Sequence, residues 1–417
     1  MRSKLLLLLF AAVAACTDSD PTIPGPPGPN PVAELPLLGT GVVAERYTAE
    51  VAVAEPYAYT SSWNFRVAIG NAVKIWNVSG NTPVLVDSLI VPNASTLGDL
   101  RVSADGSLLV VAIEGGTENG IVIYDRATPA RPTLIRRFVT ATTRQGVHTV
   151  KLSHINGRHY AFLAIDPSGD ERAKLAIVDI TEPATPVEVF VGEMGDPFMH
   201  DVFVRAGILF AALWDTGLRI FDVGGAGQGG SPGQPIALGT VKTKHCATCG
   251  AGTSSVHNAW WFHDPQNSSK RYAFVGEEAP ALGFTRSAGD LHVVDVSDFS
   301  APREVAFYQP DPATTSNGEQ AGAHNFVMDE ANGILYAAFY NGGVRALDVR
   351  GDLSDCTAAQ KSADGRCNLR LMDREVGIAV SSGGAKYVWG VALQGSALYA
   401  SDMLNGLHKI DVSSLQR

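Results

Sequence analysis

Short apolar runs alternate with turn-forming residues along almost the whole chain, and seven of these runs end on the same acidic or amide beat. The copies are VKIWNV at Asn77, IVIYDR at Asp125, LAIVDI at Asp179, LRIFDV at Asp222, LHVVDV at Asp295, VRALDV at Asp348 and LHKIDV at Asp411. Self-similarity at intervals of roughly 40 to 70 residues marks an array of supersecondary units, each too small to bury its own apolar face. The copy around His200 shows one unit in full: HDVFV, a turn at Ala206-Gly207, ILFAALW, a turn at Asp215-Thr216-Gly217, LRIFDV and then PIALGTV. Four short runs rich in β-branched and aromatic residues, joined by tight turns, predict four antiparallel strands. Such units repeated around an axis are propeller blades. The expected fold is therefore all-β, a seven-bladed β-propeller of four-stranded antiparallel blades.

Closure of the ring is the next expectation. After LHKIDV only Ser413 to Arg417 remain, too few for a fourth strand in the last blade. An N-terminal strand within GVVAERYTAEVAV, Gly41 to Val53, is expected to close the last blade, with the inner strand of blade one near Ala54 to Thr60. The strands resemble the LVIVD repeat family of bacterial surface and exported proteins. LAIVDITEPATPVEV at Leu175 to Val189 and LHVVDVSDFSAPREV at Leu291 to Val305 carry the resemblance, a strand, a proline-containing turn and the next strand. It implies a propeller of this type and leaves the function open.

Alignment of the units exposes a second regularity. The innermost strand opens with HTV at His148, HDV at His200, HNA at His257 and HNF at His324, with WGV at Trp389 in the seventh unit and Gly98-Asp99 in the second. The second strand runs back to the same mouth of the channel and ends on Glu114, Asp166, Asp215, Glu277 with Glu278, and Asp402. Strand polarity thus sets His148, His200, His257 and His324, with Trp389, on the same face as Asp166, Asp215 and Glu277. One reading is a transition-metal site, copper or zinc, at the axis, because imidazole is a ligand for both and a carboxylate orients it. The histidine ring resembles that of the selenium-binding and methanethiol oxidase propellers, which implies copper. The other reading is a structural hydrogen-bond network, of the kind that WD-type propellers repeat in every blade. The longest loops, His245 to Val256, Glu277 to Asp290 and Gln309 to Ala323, fall on the histidine side, where Arg286 either reaches over the mouth towards an anionic ligand or stands as a solvated loop side chain.

The remaining motifs narrow the classes. HCATCG at His245 to Gly250 lacks the histidine that c-type haem attachment needs after its second cysteine. Cys246 and Cys249 are expected as a local disulfide, with a thiolate contribution to a metal near His257 as the alternative. Cys356 and Cys367, which flank a polar loop, are expected to bridge. The single GxSxG match, Gly229-Gly230-Ser231-Pro232-Gly233, falls in a glycine- and proline-rich turn and not at a strand-to-helix elbow, and no phosphate loop or HExxH occurs in the chain.

The N-terminus carries its own signals. Arg2 and Lys4 precede the apolar Leu5 to Ala12, and Val13-Ala14-Ala15-Cys16 follows. This resembles a lipoprotein signal peptide over residues 1–15, with Cys16 as the lipid attachment site. Thr17, not aspartate, follows, which by the same resemblance favours the outer membrane or cell surface over the inner membrane. Residues 16–37, rich in proline and glycine, read as a spacer, and 38–417 as the propeller. A net charge of −10 without a basic run argues against nucleic acid. The expected partners are a membrane, through the anchor, and a protein, glycan or small-molecule ligand at the histidine face. The functional expectation is an extracytoplasmic binding module, the alternative a metal-dependent, oxidase-like enzyme.

Overall fold

The computed structural model describes residues 32–194, 198–247, 252, 254–280 and 286–416. Val32–Arg417 forms one compact unit. Cys16, the signal-like segment and most of the spacer lie outside the described residues, as does Cys249.

Seven antiparallel sheets follow one another along the chain. Blades one to six run from the axis outward in chain order through their four main strands, as in blade four: Asp201–Arg205, Ile208–Ala212, Leu218–Asp222 and Ile236–Val241. The middle strands are buried on both faces, whereas outer strands such as Val84–Ile90 are largely exposed. Burial on both faces explains why the third strand of each unit reads as a continuous apolar run rather than an alternating one.

The sevenfold beat has a local cause. Asn77, Asp125, Asp179, Asp222, Asp295, Asp348 and Asp411 each end a third strand, and the side-chain oxygen of each accepts the backbone N–H two residues on, at 2.8–3.1 Å. Such Asx turns stop the strand and turn the chain towards the outer one. An amide oxygen accepts as well as a carboxylate, so Asn77 fits the series.

Closure uses a strand slightly upstream of the expected one. Leu37–Val42 pairs antiparallel with Gly406–Asp411 and completes blade seven. Tyr47–Ala54, expected within that closing segment, is instead the inner strand of blade one, followed by Tyr57–Trp63. Burial decides between them: Ala49, Glu50 and Val51 are nearly inaccessible, which suits the axis and not an outer edge. Gly39 and Gly41 let the closing strand lie close, since a Cβ on Gly41 would meet the Trp76 ring at 2.4 Å. Upstream, Ala33–Glu34 adds in parallel to Glu375–Ala379 of blade six, so ordered pairing begins before residue 38.

The blades bury apolar side chains between them. Between blades three and four, Phe162, Leu175 and Ile177 pack against Val202, Leu209 and Phe221. Truncation of a buried phenylalanine such as Phe162 or Phe274 costs about 3–5 kcal/mol. Blade five carries an extra edge, Cys367–Asn368, held parallel to Arg303–Tyr308 and joined to Cys356 by a disulfide with Cα atoms 5.9 Å apart.

Candidate functional site

Each inner strand starts at the same mouth of the channel, and most of them start with a register shift. Shifts lie between Thr48 and Val51, Leu97 and Leu100, Val147 and Thr149, Val256 and Asn258, and Val388 and Gly390. In a regular strand neighbouring side chains point to opposite faces, and a bulge re-aims them. His148 and Thr149, at one such shift, accordingly line one cavity on the axis; His200 with Asp201 and His324 with Asn325, just at or before regular strands, line it too.

The first tier is an arc of flat rings. Successive centroids of His148, His200, His257, His324 and Trp389 are 4.2, 4.1, 4.2 and 4.1 Å apart, and Trp63 of blade one lies 5.5 Å beyond Trp389. Blade two contributes Gly98 there, because a Cβ would meet the His148 carbonyl oxygen at 2.2 Å. Glu114, from Leu108–Gly116, fills that sector and accepts the Trp63 indole N–H at 3.0 Å.

Three of the imidazoles converge on one carboxylate. The Nε2 atoms of His200, His257 and His324 lie 3.6, 3.5 and 3.9 Å from the Glu278 oxygens. Ligand atoms of His200, His257 and Glu278 all fall within 4.8 Å of one another, and the three residues are buried. Glu278 is further fixed by the Tyr340 hydroxyl, which donates to Oε1. His324 Nδ1 sits 2.6 Å from the Trp389 carbonyl oxygen. Burial first, and the neighbouring imidazoles second, hold His200, His257 and His324 well below the ordinary histidine pKa, so these rings are neutral. Burial raises Glu278 to about 7, against the opposing Tyr340 bond and His148.

Several of these nitrogens have no hydrogen-bond partner among the described residues: His148 Nδ1, His200 Nδ1, both nitrogens of His257 and His324 Nε2. Buried polar atoms are nearly always paired.

A second cluster adjoins the first. His148 Nδ1 lies 3.4 Å from Glu114 Oε1 and 3.8 Å from Asp166 Oδ1. Burial alone would lower His148, but the two carboxylates outweigh it and raise its pKa to about 10. Asp166 is raised by its own burial, with Glu114 adding to the effect.

Beneath the rings lies a second tier: Glu50, Asp99, Asp201, Asn258 and Asn325. Arg101 Nη1 is 2.9 Å from Asp99, and Lys151 Nζ is 3.3 Å from Asp99 and 3.5 Å from Asp201. Asn325 donates to Glu50, and Asn258 donates to Asn325 Oδ1 at 2.8 Å. Between the tiers is a cavity of about 20 Å³, enough for one water. Below it the channel widens to a cavity of about 340 Å³, with Lys151, Asp201 and Asn325 lining both spaces.

The structure gathers His148, His200, His257, His324, Asp166 and Trp389, and separates two expected members. Glu277 is fully buried inside blade five, where it contacts His245 Nδ1, lies 3.4 Å from His292 Nε2 and accepts the N–H groups of Cys246 and Asp290. It ends the strand Tyr272–Glu277, so alternation aims its neighbour Glu278 at the axis instead. Asp215 lines a separate surface pocket with Lys242, Lys244 and His245. The chain turns at Trp214, whose φ of +49° brings its ring to stack 5.1 Å from His200 while Asp215 faces outward. Asp402 pairs with His408 at 3.4 Å, away from the arc. Cys246 is disulfide-bonded and buried, its sulfur accepting from Gln320 at 3.5 Å. Arg286 is exposed.

Sequence reasoning misses Trp63 and the second tier, and it names Glu278 only as the neighbour of Glu277. The signal for the second tier was present in the second letters of the opening triplets, AEV at Glu50, GDL at Asp99, HDV at Asp201, HNA at Asn258 and HNF at Asn325. Trp63 was hidden by the misplaced blade one, and Glu278 by its acidic neighbour.

The LVIVD repeat family model matches residues 160–191 and 286–309, which cover the second to outer strands of blade three and the third and outer strands of blade five. No curated protein matches the chain in sequence. Among solved structures, the chain is similar to the crystal structure of the Saccharomyces cerevisiae Sqt1, with a TM-score of 0.53 and 10% sequence identity over 92% of this chain and 87% of that one. At that identity the likeness concerns the fold alone.

Proposed function

We propose that this LVIVD-repeat propeller is an extracytoplasmic, lipid-anchored binding module whose ligand is a transition-metal ion held by His200, His257, His324 and Glu278. The observation that carries the reading is the spacing of three Nε2 atoms around one buried carboxylate, at 3.5–3.9 Å. Two ligands each about 2.0–2.1 Å from a tetrahedral ion stand about 3.3–3.4 Å apart. The observed separations approach that value and exceed a good hydrogen bond. Neutral imidazoles need no deprotonation to act as ligands, and the Nε2 atoms of His257 and His324 have no hydrogen-bond partner among the described residues. Imidazole-rich sites suit copper or zinc.

The test is elemental analysis of protein purified without chelators and then loaded with Zn²⁺ or Cu²⁺, beside a His257→Ala variant. One equivalent bound by the native chain and lost in the variant supports the site. Failure of the native chain to retain either ion removes it. The anchor rests on Val13-Ala14-Ala15-Cys16, and a Cys16→Ser variant released from the membrane fraction is the expected result.

One observation favours a second reading, a metal-dependent, oxidase-like enzyme. The channel of about 340 Å³ beneath the ring could admit a small substrate towards the ion. Turnover of an oxidisable substrate by copper-loaded native protein, absent in His257→Ala, separates catalysis from binding alone.

A further inference from the structure

The cluster beside the imidazole site is built differently. Glu114 comes from the second strand of blade two, His148 from the inner strand of blade three (Val147–Ile155), and Asp166 follows the second strand of that blade (Arg158–Ile165). Their contacting atoms, Glu114 Oε1, His148 Nδ1 and Asp166 Oδ1, satisfy the mutual distances of a cation's ligand set. The two carboxylate side chains are 19% and 17% exposed, so their charges are poorly screened by water.

Two features show that the approach is built. Gly146 makes room for it, since a Cβ there would lie 2.7 Å from the Glu114 carbonyl oxygen and 3.2 Å from Asp166 Oδ2. Gly98 does the same on the other side, at 2.2 Å from the His148 carbonyl oxygen and 3.3 Å from Glu114 Oε2. The outer contacts hold the ligands in place: Trp63 donates to Glu114 Oε2 at 3.0 Å, and the Asp166 N–H donates to the Gly146 carbonyl oxygen at 3.0 Å. Ligating carboxylates are oriented in this way by their neighbours.

The bland account is an ion pair with an imidazolium at the centre. Charge-assisted N–H···O bonds close to about 2.7–2.9 Å. The observed 3.4 and 3.8 Å are longer, and His148 Nδ1 is buried without a hydrogen-bond partner among the described residues. Two carboxylate oxygens and one imidazole nitrogen at such distances surround a gap of the size that a cation's ligand set leaves.

We infer that Glu114, His148 and Asp166 form a second metal site, with a ligand set that suits a harder divalent cation of the Mn²⁺ or Fe²⁺ class, beside the imidazole site. One nitrogen and two carboxylates suit those ions, whereas three imidazoles and one carboxylate suit copper or zinc. His148 and His200 are in ring contact at 4.2 Å, so the two ions occupy neighbouring sectors of the same mouth. The inference extends the metal-binding reading above but uses none of its ligands, so each can fail separately.

The probe is Mn²⁺, followed by electron paramagnetic resonance on metal-stripped protein, with Zn²⁺ retention measured in parallel. Native protein binds one equivalent of Mn²⁺ in addition to one of Zn²⁺. In Glu114→Gln/Asp166→Asn, which keeps the shape of both side chains, Mn²⁺ affinity falls at least about tenfold and Zn²⁺ retention is unchanged. In His257→Ala the pattern reverses: Zn²⁺ is lost and Mn²⁺ stays. Trp63→Phe, which removes the indole donor to Glu114 and keeps an aromatic ring beside Trp389, weakens Mn²⁺ and leaves Zn²⁺ retention unchanged. Native protein that binds no Mn²⁺, or an amide double variant that binds it as tightly as the native chain, overturns the inference.

Discussion

His257 Nε2 lies 3.5 Å from the Glu278 carboxylate, and both groups are buried at the mouth of the channel. An acid buried against neutral imidazoles has little to offset its desolvation beyond the Tyr340 hydroxyl. A bound cation would supply the missing charge. Metal at a hundred times its Kd should then stabilise the fold by about 2.7 kcal/mol, because it binds only the native state. Thermal unfolding with and without Zn²⁺ checks this, and the increment should vanish in Glu278→Gln. An equal shift in native protein and variant would assign the effect to other groups.

Closure should be sensitive to the glycines of the N-terminal strand. Gly41→Val drives a side chain into Trp76, and overpacking of this kind typically costs about 1–3 kcal/mol. Denaturant midpoints should fall accordingly. Hydrogen exchange should show Leu37–Val42 and Gly406–Asp411 losing protection together, since they pair in one sheet.

Asp222 should make the fold acid-sensitive. Burial would raise its pKa, but the backbone N–H groups of Gly224, Gly225, Ala226, Gln228 and Gly230 outweigh burial and hold it far below the ordinary aspartate range. A carboxyl depressed in the folded state contributes its stability above the unfolded pKa, about 3.9, and loses it as pH falls below that value. Asp222→Asn should cost about 2–3 kcal/mol at pH 7. The difference between native and variant should shrink between about pH 4 and pH 2. Urea titrations at those two pH values and at pH 7 measure it.

The Cys356–Cys367 bridge closes a short loop on the edge of blade five. Chain-entropy arguments assign a loop of that length about 3 kcal/mol. Cys356→Ser/Cys367→Ser should therefore loosen the 353–369 segment, read as faster proteolysis there. The proposed metal sites, formed on other strands, should keep whatever stoichiometry the native chain shows.

The blade count, the direction of each strand and the common face of the histidines were legible from the chain. These properties are local: a seven-fold Asx beat ends each third strand, and strand polarity follows from turns of a few residues. Closure was legible as a need, but its register was not. Leu37–Val42 and Tyr47–Ala54 are both short and strand-like, and only packing against Trp76 and the axis sorts them into outer and inner positions.

At the candidate site, sequence alone determined that histidines recur at one position and that acids end the facing strands. It could not decide which of Glu277 and Glu278 meets them, because a one-residue change in register reverses the direction of a side chain. Nor could it show Asp215 turned outward by the left-handed Trp214. The bulges that aim two successive residues at the axis are likewise a product of the assembled ring. Only the tertiary structure decided that three imidazole nitrogens meet one carboxylate, because that meeting depends on distances between blades that share no local sequence.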